Sequence, residues 1–288
     1  MGEKSIAPKF NIHETYKKMR ILNPYRNAGT PAQIGNILDT YPAAVAWSLR
    51  KLSGGYSGAA IKVRESINNT EQDIGFDASG ELDTASLLNF VGAGDGLVTT
   101  IYDQAGAGFN FTQTNPVRQG RIVNSGVVNT LNGKPVILRS LDDNGGYVSS
   151  YPPNDGAVVK GFFYVGKNSV NNSVVLGSKS DRQDYMYVST SGSNNSTLSQ
   201  NVFLTNEKLN GVTWNPSDRG GVYTDTLNQV LISNTTDFNF NSNLLSLGYT
   251  FDHPLNSGMF SFQELIIFAN TTDHLDKETK INSYYAIY

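Results

Sequence analysis

A retaining glycosidase needs two carboxyl groups about 5–5.5 Å apart, one as nucleophile and one as acid/base. The chain offers Asp73, Asp77, Glu81, Asp83, Asp103, Glu207, Asp225 and Glu264 as candidate carboxylates. None stands in a catalytic motif. Asp103 lies in the run Tyr102-Asp103-Gln104-Ala105-Gly106. A short carboxylate there bonds the backbone of its own turn, so Asp103 is predicted to build structure. Glu264 stands inside FSFQELIIF, Phe260 to Phe268. Strand alternation puts it opposite Phe262 or on a concave sheet face. A glycan contact there competes with a paired or solvated carboxylate.

Other chemistries find less support. His13, His253 and His274 are scattered, with no His-x-x-x-His or Glu-x-x-His spacing, so no metal site is expected of them. Asp142-Asp143-Asn144-Gly145 gathers oxygens suited to calcium, but reads first as an Asp/Asn turn. Gly92-Ala93-Gly94-Asp95-Gly96 precedes a predicted strand instead of opening a helix, so it is not a dinucleotide fingerprint. No phosphate-binding loop and no Gly-x-Ser-x-Gly elbow occurs. No cofactor is expected. For stacking on sugar rings the aromatic pool is Trp214, Tyr185, Tyr187 and Tyr223, with Tyr147 and Tyr151 behind them. Most aromatics of a β-protein belong to its core.

The elements that must position these groups are short strands. Gly numbers 28 in 288 residues, aromatics are 11% and charged residues only 16%, the profile of a β-rich chain with a neutral polar surface. A formal net charge of -3 argues against nucleic acid. The lack of cysteine excludes disulfides, thiolate metal sites and cysteine nucleophiles. MGEKSIAPKF lacks the apolar core of a secretory signal, and no run reaches membrane-span length. The expectation is a soluble protein made in a cytoplasm.

Residues 1–40 read as an arm apart from the rest. They hold Pro8, Pro24 and Pro31 and too few apolar residues for a core. Phe10, Ile12, Tyr16, Met19, Leu22 and Tyr25 are nonetheless large side chains for a solvated segment, which suggests docking on a partner, with a disordered or loosely packed terminus as the alternative. From residue 41 to 288 a single sandwich domain is expected. Ala43 to Leu52 opens it as a strand or short helix. Ala60 to Arg64 alternates as a half-buried strand. Asp83 caps a short helix ending near Phe90. Strands follow at Leu97 to Tyr102, Arg121 to Val123, Val136 to Leu138, Gly161 to Val165, Ser173 to Leu176, Tyr185 to Val188, Val202 to Leu204, Gly211 to Trp214, Gly221 to Thr224, Val230 to Ile232, Leu244 to Tyr249 and Phe260 to Phe268. A helix from Asp273 to Tyr285 closes the chain. The fold class is all-β, a sandwich.

Several blocks in order carry a resemblance: AAVAWSLRKLSGGYSGAAIKVRES, EQDIGF, ELDTASLLNFVG, LVTTIYDQAGAGFNFTQ, RIVNSGVV and LNGKPVI. Over Tyr41 to Leu138 they are similar to the amino-terminal part of the arabinofuranosidase B catalytic domain. They resemble more closely a group of tailed-phage virion proteins described as lectin-like. Both likenesses imply a concanavalin A-like jelly roll. The arabinofuranosidases place paired cysteines at their active site, and this chain has none. The resemblance therefore implies a virion structural subunit: a head-fibre, decoration or tail-associated protein, not an enzyme. Its partners would be capsid or tail proteins and further copies of itself, three being the expected order. A glycan-binding adhesion module and an arabinofuranosidase-like hydrolase stand as the alternatives.

Overall fold

The computed structural model describes residues 36–139, 146–151, 159–168, 173–178, 185–188, 207–214, 225–234, 237–238, 245–248 and 260–288. The principal elements are α1 (Ile37–Thr40), β1 (Ala43–Ser48), β2 (Ile61–Glu65), β3 (Glu71–Ile74), α2 (Thr84–Val91), β4 (Gly96–Ile101), β5 (Gly120–Asn124), β6 (Phe162–Asn168), β7 (Val230–Asn234), β8 (Phe260–Phe268) and α3 (His274–Tyr285). Together with shorter strands they form an antiparallel, all-β sandwich.

One layer runs β1–β8–β6–β7 and continues through Glu207–Leu209 to Val212–Thr213. The other runs β3–β2–β4, where β4 pairs with both β5 and Phe111–Thr112. From Phe111–Thr112 it extends through Tyr147–Ser149, Leu245–Leu247 and Ser173–Ser178 to Tyr185–Val188. Ile137–Leu138 pairs with β8 on one side and β5 on the other, stitching the layers together at that edge.

The inward faces of both layers share one core, which includes Trp47, Val63, Val98, Phe111, Tyr147, Phe162, Tyr164 and Phe262. β1, β6 and β8 are also covered on their outer faces, by α1 and α3. There Ala46, Phe163, Val165, Ile266 and Phe268 pack with Ile37, Ile281 and Tyr285. Coverage on both faces explains why β8 reads as a nearly continuous apolar run and not as an alternation.

A β-bulge interrupts that strand. Val165 pairs with Glu264 and Gly166 with Phe262, leaving Gln263 as the extra residue. The bulge resets the alternation. Phe262 and Leu265, three positions apart, both enter the inner core, and Ile266 and Phe268 face α3. Opposite the bulge only glycine fits: a Cβ on Gly166 would stand 2.2 Å from the Ser261 carbonyl oxygen.

Local chemistry fixes the smaller elements. Asp83 caps α2 by accepting from the Ser86 backbone N–H at 3.0 Å, and Gly92 ends the helix at φ 63°. Ordered packing begins ahead of residue 41, because Ile37 is buried and the Leu38 N–H bonds the Leu52 carbonyl. The predicted strands at Val202 to Leu204 and Gly221 to Thr224 lie outside the described residues.

Candidate functional site

Trp214 follows the edge strand Val212–Thr213, and Asp225 precedes β7. The indole Nε1–H donates to Asp225 Oδ2 at 2.8 Å. Asp225 is exposed, whereas Trp214 is 7% exposed and belongs to the inner core. Little ring surface is left for stacking, so Trp214 serves as a rigid donor more than as a platform. A hydrogen bond to an ionised acceptor is among the stronger kinds. It commits one carboxylate oxygen to the indole. An exposed carboxylate held this way can bind sugar hydroxyls or exchange a proton with a glycosidic oxygen. Among the described residues this is the one place where a candidate carboxylate meets a candidate aromatic of the stacking pool.

Along the chain from Asp225 comes a pair of hydrogen-bonded amides. Gln229, four residues after Asp225, donates through Nε2 to Gln263 Oε1. Gln263 is fully buried at the β8 bulge, and its Nε2 faces the carbonyl oxygens of Leu131, Lys134 and Pro135 at 3.1–3.3 Å. The Thr226 carbonyl accepts from the Asn168 N–H at 2.9 Å. The Asp225 segment is thus tied to β6 and β8. Sequence reading missed both glutamines, for residue type does not mark either, and the one signal near Gln263 is the three-residue spacing of the apolar Phe262 and Leu265.

Glu264 lies elsewhere than a concave face. The bulge turns it outward beneath α3, where it is 0% exposed. Its Oε2 accepts from Arg50 Nε at 2.7 Å, Ser48 Oγ at 2.8 Å and Tyr285 Oη at 3.2 Å, and its Oε1 from Arg50 Nη2 at 3.0 Å. The guanidinium also lies over the rings of Tyr284 and Tyr285, 4.4 and 5.6 Å from their centroids. Arg50 is held well above its usual pKa, the pull of Glu264 and the two tyrosines outweighing the larger cost of burial. This is a fully paired carboxylate with no surface left for a glycan.

Most other candidate carboxylates are committed to structure as well. Asp77 and Asp83 close their own turn and helix start, and backbone and hydroxyl donors hold both below the usual carboxylate range. Glu81 pairs with Lys134 at 2.9 Å and accepts from Tyr284 Oη. Asp73 accepts from Tyr102 Oη at 2.7 Å and lies 3.9 Å from Lys62. Asp103 is buried in its turn and accepts from three backbone amides, those of Ala46, Ala105 and Ala107. Tyr147 is buried in the core, its hydroxyl donating to the Val98 carbonyl and accepting from the Gly120 N–H.

His274, at the start of α3, also packs inward. Its Nε2 is 3.0 Å from Ser233 Oγ and 4.0 Å from Glu278 Oε1, and its ring lies 4.8 Å from that of Phe163. Burial first, then Lys208 and Lys277, push its pKa down from 6.5 to about 4. Glu278 pulls the other way but is shared with Lys208 at 3.6 Å. The imidazole is therefore neutral when folded and protonates near pH 6.5 when unfolded. Its contribution to stability is complete above pH 6.5 and is lost as pH falls from 6.5 to 4. Thermal midpoints taken from pH 7 to pH 4.5 should fall more steeply for the wild type than for His274→Gln. Parallel curves would exclude His274 as the source. Glu65 titrates in a lower window, because backbone donors at Asn68, Thr70 and Ile67 hold it down to about 2.

Tyr185 and Tyr187 lie on the strand Tyr185–Val188, of which only the backbone is described, as is true of Glu207. Tyr223, His13, His253, the oxygen cluster at Asp142 to Gly145, and the arm residues Phe10, Ile12, Tyr16, Met19, Leu22 and Tyr25 lie outside the described residues. No group of three or more His, Asp or Glu able to hold a metal occurs among the described residues.

No protein-family model and no curated protein sequence matches the chain. Three solved structures are similar to it. An arabinofuranosidase complexed with arabinofuranosyl-α-1,2-xylobiose aligns at a TM-score of 0.55 and 17% identity. A GH54 α-L-arabinofuranosidase soaked with a cyclic sulfate inhibitor aligns at 0.53 and 15%. A glutamate-to-glutamine variant of a GH54 α-L-arabinofuranosidase, soaked with 4-nitrophenyl α-L-arabinofuranoside, aligns at 0.53 and 16%. Each likeness covers 88% of this chain but only 64–65% of the other. At such identity the likeness establishes the fold, a lectin-type concanavalin A-like sandwich. It also corrects two expectations. The virion subunit and the non-enzyme were favoured over the hydrolase, yet the sandwiches that the chain resembles are arabinofuranosidases and nothing in the likeness points to a phage particle.

Proposed function

We propose that the chain is a carbohydrate-active sandwich of the hydrolase kind, acting on glycans that carry terminal α-L-arabinofuranosyl groups. The observation that carries this reading is the likeness to arabinofuranosidases along 88% of the chain. It reaches well past the Tyr41 to Leu138 block on which the sequence resemblance rests. The Trp214–Asp225 pair supplies a carboxylate of the type that glycoside cleavage uses. Asp225 would be one of the two carboxyls this reaction requires.

The test is direct. The full chain, incubated with 4-nitrophenyl α-L-arabinofuranoside, is expected to release nitrophenol. Asp225→Asn, with unchanged circular dichroism, should lower kcat by about 10²-fold or more. Wild-type protein that binds arabinofuranosyl xylo-oligosaccharides without cleaving them would replace hydrolysis with glycan recognition. Absence of both turnover and binding would end the carbohydrate reading.

A further inference from the structure

Gln263 is the only residue of β8 that the bulge leaves without a partner on β6 between Phe260 and Ile267. Its side chain nonetheless has a definite task. The amide oxygen accepts from Gln229, and the amide nitrogen is held by the carbonyls of the 131–135 hairpin. Gln229 lies four residues after Asp225, and this stretch is anchored to the sheet a second time where the Thr226 carbonyl meets the Asn168 N–H. Asp225 itself is exposed and fixed by one indole N–H. A loop carboxylate keeps its place only if its supporting shell is rigid. Bulges also recur beside active sites, where they re-aim side chains.

We infer that Gln263, acting through Gln229, is a positioning residue for the Trp214–Asp225 pair. The inference rests on the reading of that pair as the glycan site. The next residue, Glu264, accepts from Tyr285 Oη of α3, so neighbouring residues at the bulge hold the Asp225 segment and the closing helix. Gln263 touches no substrate. It fixes the far end of the Asp225 segment, so that the carboxylate meets its ligand without reorganising.

The chain has two tryptophans, Trp47 and Trp214, so incorporated 5-fluorotryptophan yields two fluorine resonances, assigned with Trp214→Phe. Gln229→Leu is the variant of choice, because Gln229 is only half-buried and Gln263 keeps its carbonyl partners. In Gln229→Leu the Trp214 resonance should shift or broaden and the Trp47 resonance should stay in place. The kcat for 4-nitrophenyl α-L-arabinofuranoside should fall at least about tenfold, with KM changed less than about twofold. Gln229→Lys, which keeps a donor facing Gln263, should retain the wild-type resonance. An unmoved Trp214 resonance in Gln229→Leu overturns the inference. The two readings fail separately. A wild type that releases no nitrophenol removes the hydrolase, whereas a shifted Trp214 resonance in that same protein still upholds the positioning role.

Discussion

Glu264→Leu is expected to lower the stability of the sandwich by about 3–5 kcal/mol. The side chain has no exposed atom, and it neutralises an Arg50 that is itself buried. Without the carboxylate the guanidinium keeps its place between β1 and α3, with the rings of Tyr284 and Tyr285 as its remaining attraction. An isolated buried charge is far worse than a buried pair. The Ser48 and Tyr285 hydroxyls would lose their acceptor as well. The double variant Arg50→Met/Glu264→Leu should recover most of the loss, since an apolar pair of similar size carries no desolvation penalty. Urea denaturation midpoints of the wild type, both single variants and the double variant test this. A Glu264→Leu midpoint close to the wild type would refute the pairing. A double variant no better than the sum of the singles would show that Arg50 and Glu264 act independently.

The same residue shows where sequence reading stops. α2 and α3 were legible as helices and β1 as a strand or short helix because their signals are local: Asp83 as a cap, and apolar residues such as Ile281 and Tyr285, both buried, on the terminal helix. β8 was legible as a strand, but the side on which Glu264 emerges depends on one bulge residue. The only trace of that bulge is the spacing of Phe262 and Leu265, three positions where a strand face repeats every two. The pairing of Trp214 with Asp225 spans eleven residues and two segments, so composition and periodicity carry no sign of it. Function was less legible than fold for another reason. The blocks from Tyr41 to Leu138 specify a sandwich by its turns and core, and hydrolases share that sandwich with proteins of other kinds. The Trp214–Asp225 pair lies outside those blocks.

Asp103 sits within the legible half, and its replacement by alanine is expected to cost about 2–5 kcal/mol through backbone groups alone. Oδ1 accepts from the Ala46 and Ala105 amides, both at 2.9 Å, and Oδ2 from the Ala107 amide at 3.0 Å. Ala105 and Ala107 lie in the turn, where water can reach the freed amides. The Ala46 amide lies on β1 in the buried layer and would find no substitute. Gln104 extends the same clamp, accepting from the Leu52 N–H and donating to the Ser48 and Arg50 carbonyls. Asp103 and Gln104 therefore hold both ends of the strand that carries Trp47 and leads into Arg50. Asp103→Asn keeps one acceptor oxygen and loses the other, so its cost should be smaller, about 1–2 kcal/mol. In neither variant should turnover per folded molecule change, because the carboxylate is enclosed by its own turn and by β1. Denaturation midpoints measured beside nitrophenol release decide the matter: an Asp103→Asn protein with wild-type stability and no turnover would move Asp103 from the scaffold to the chemistry.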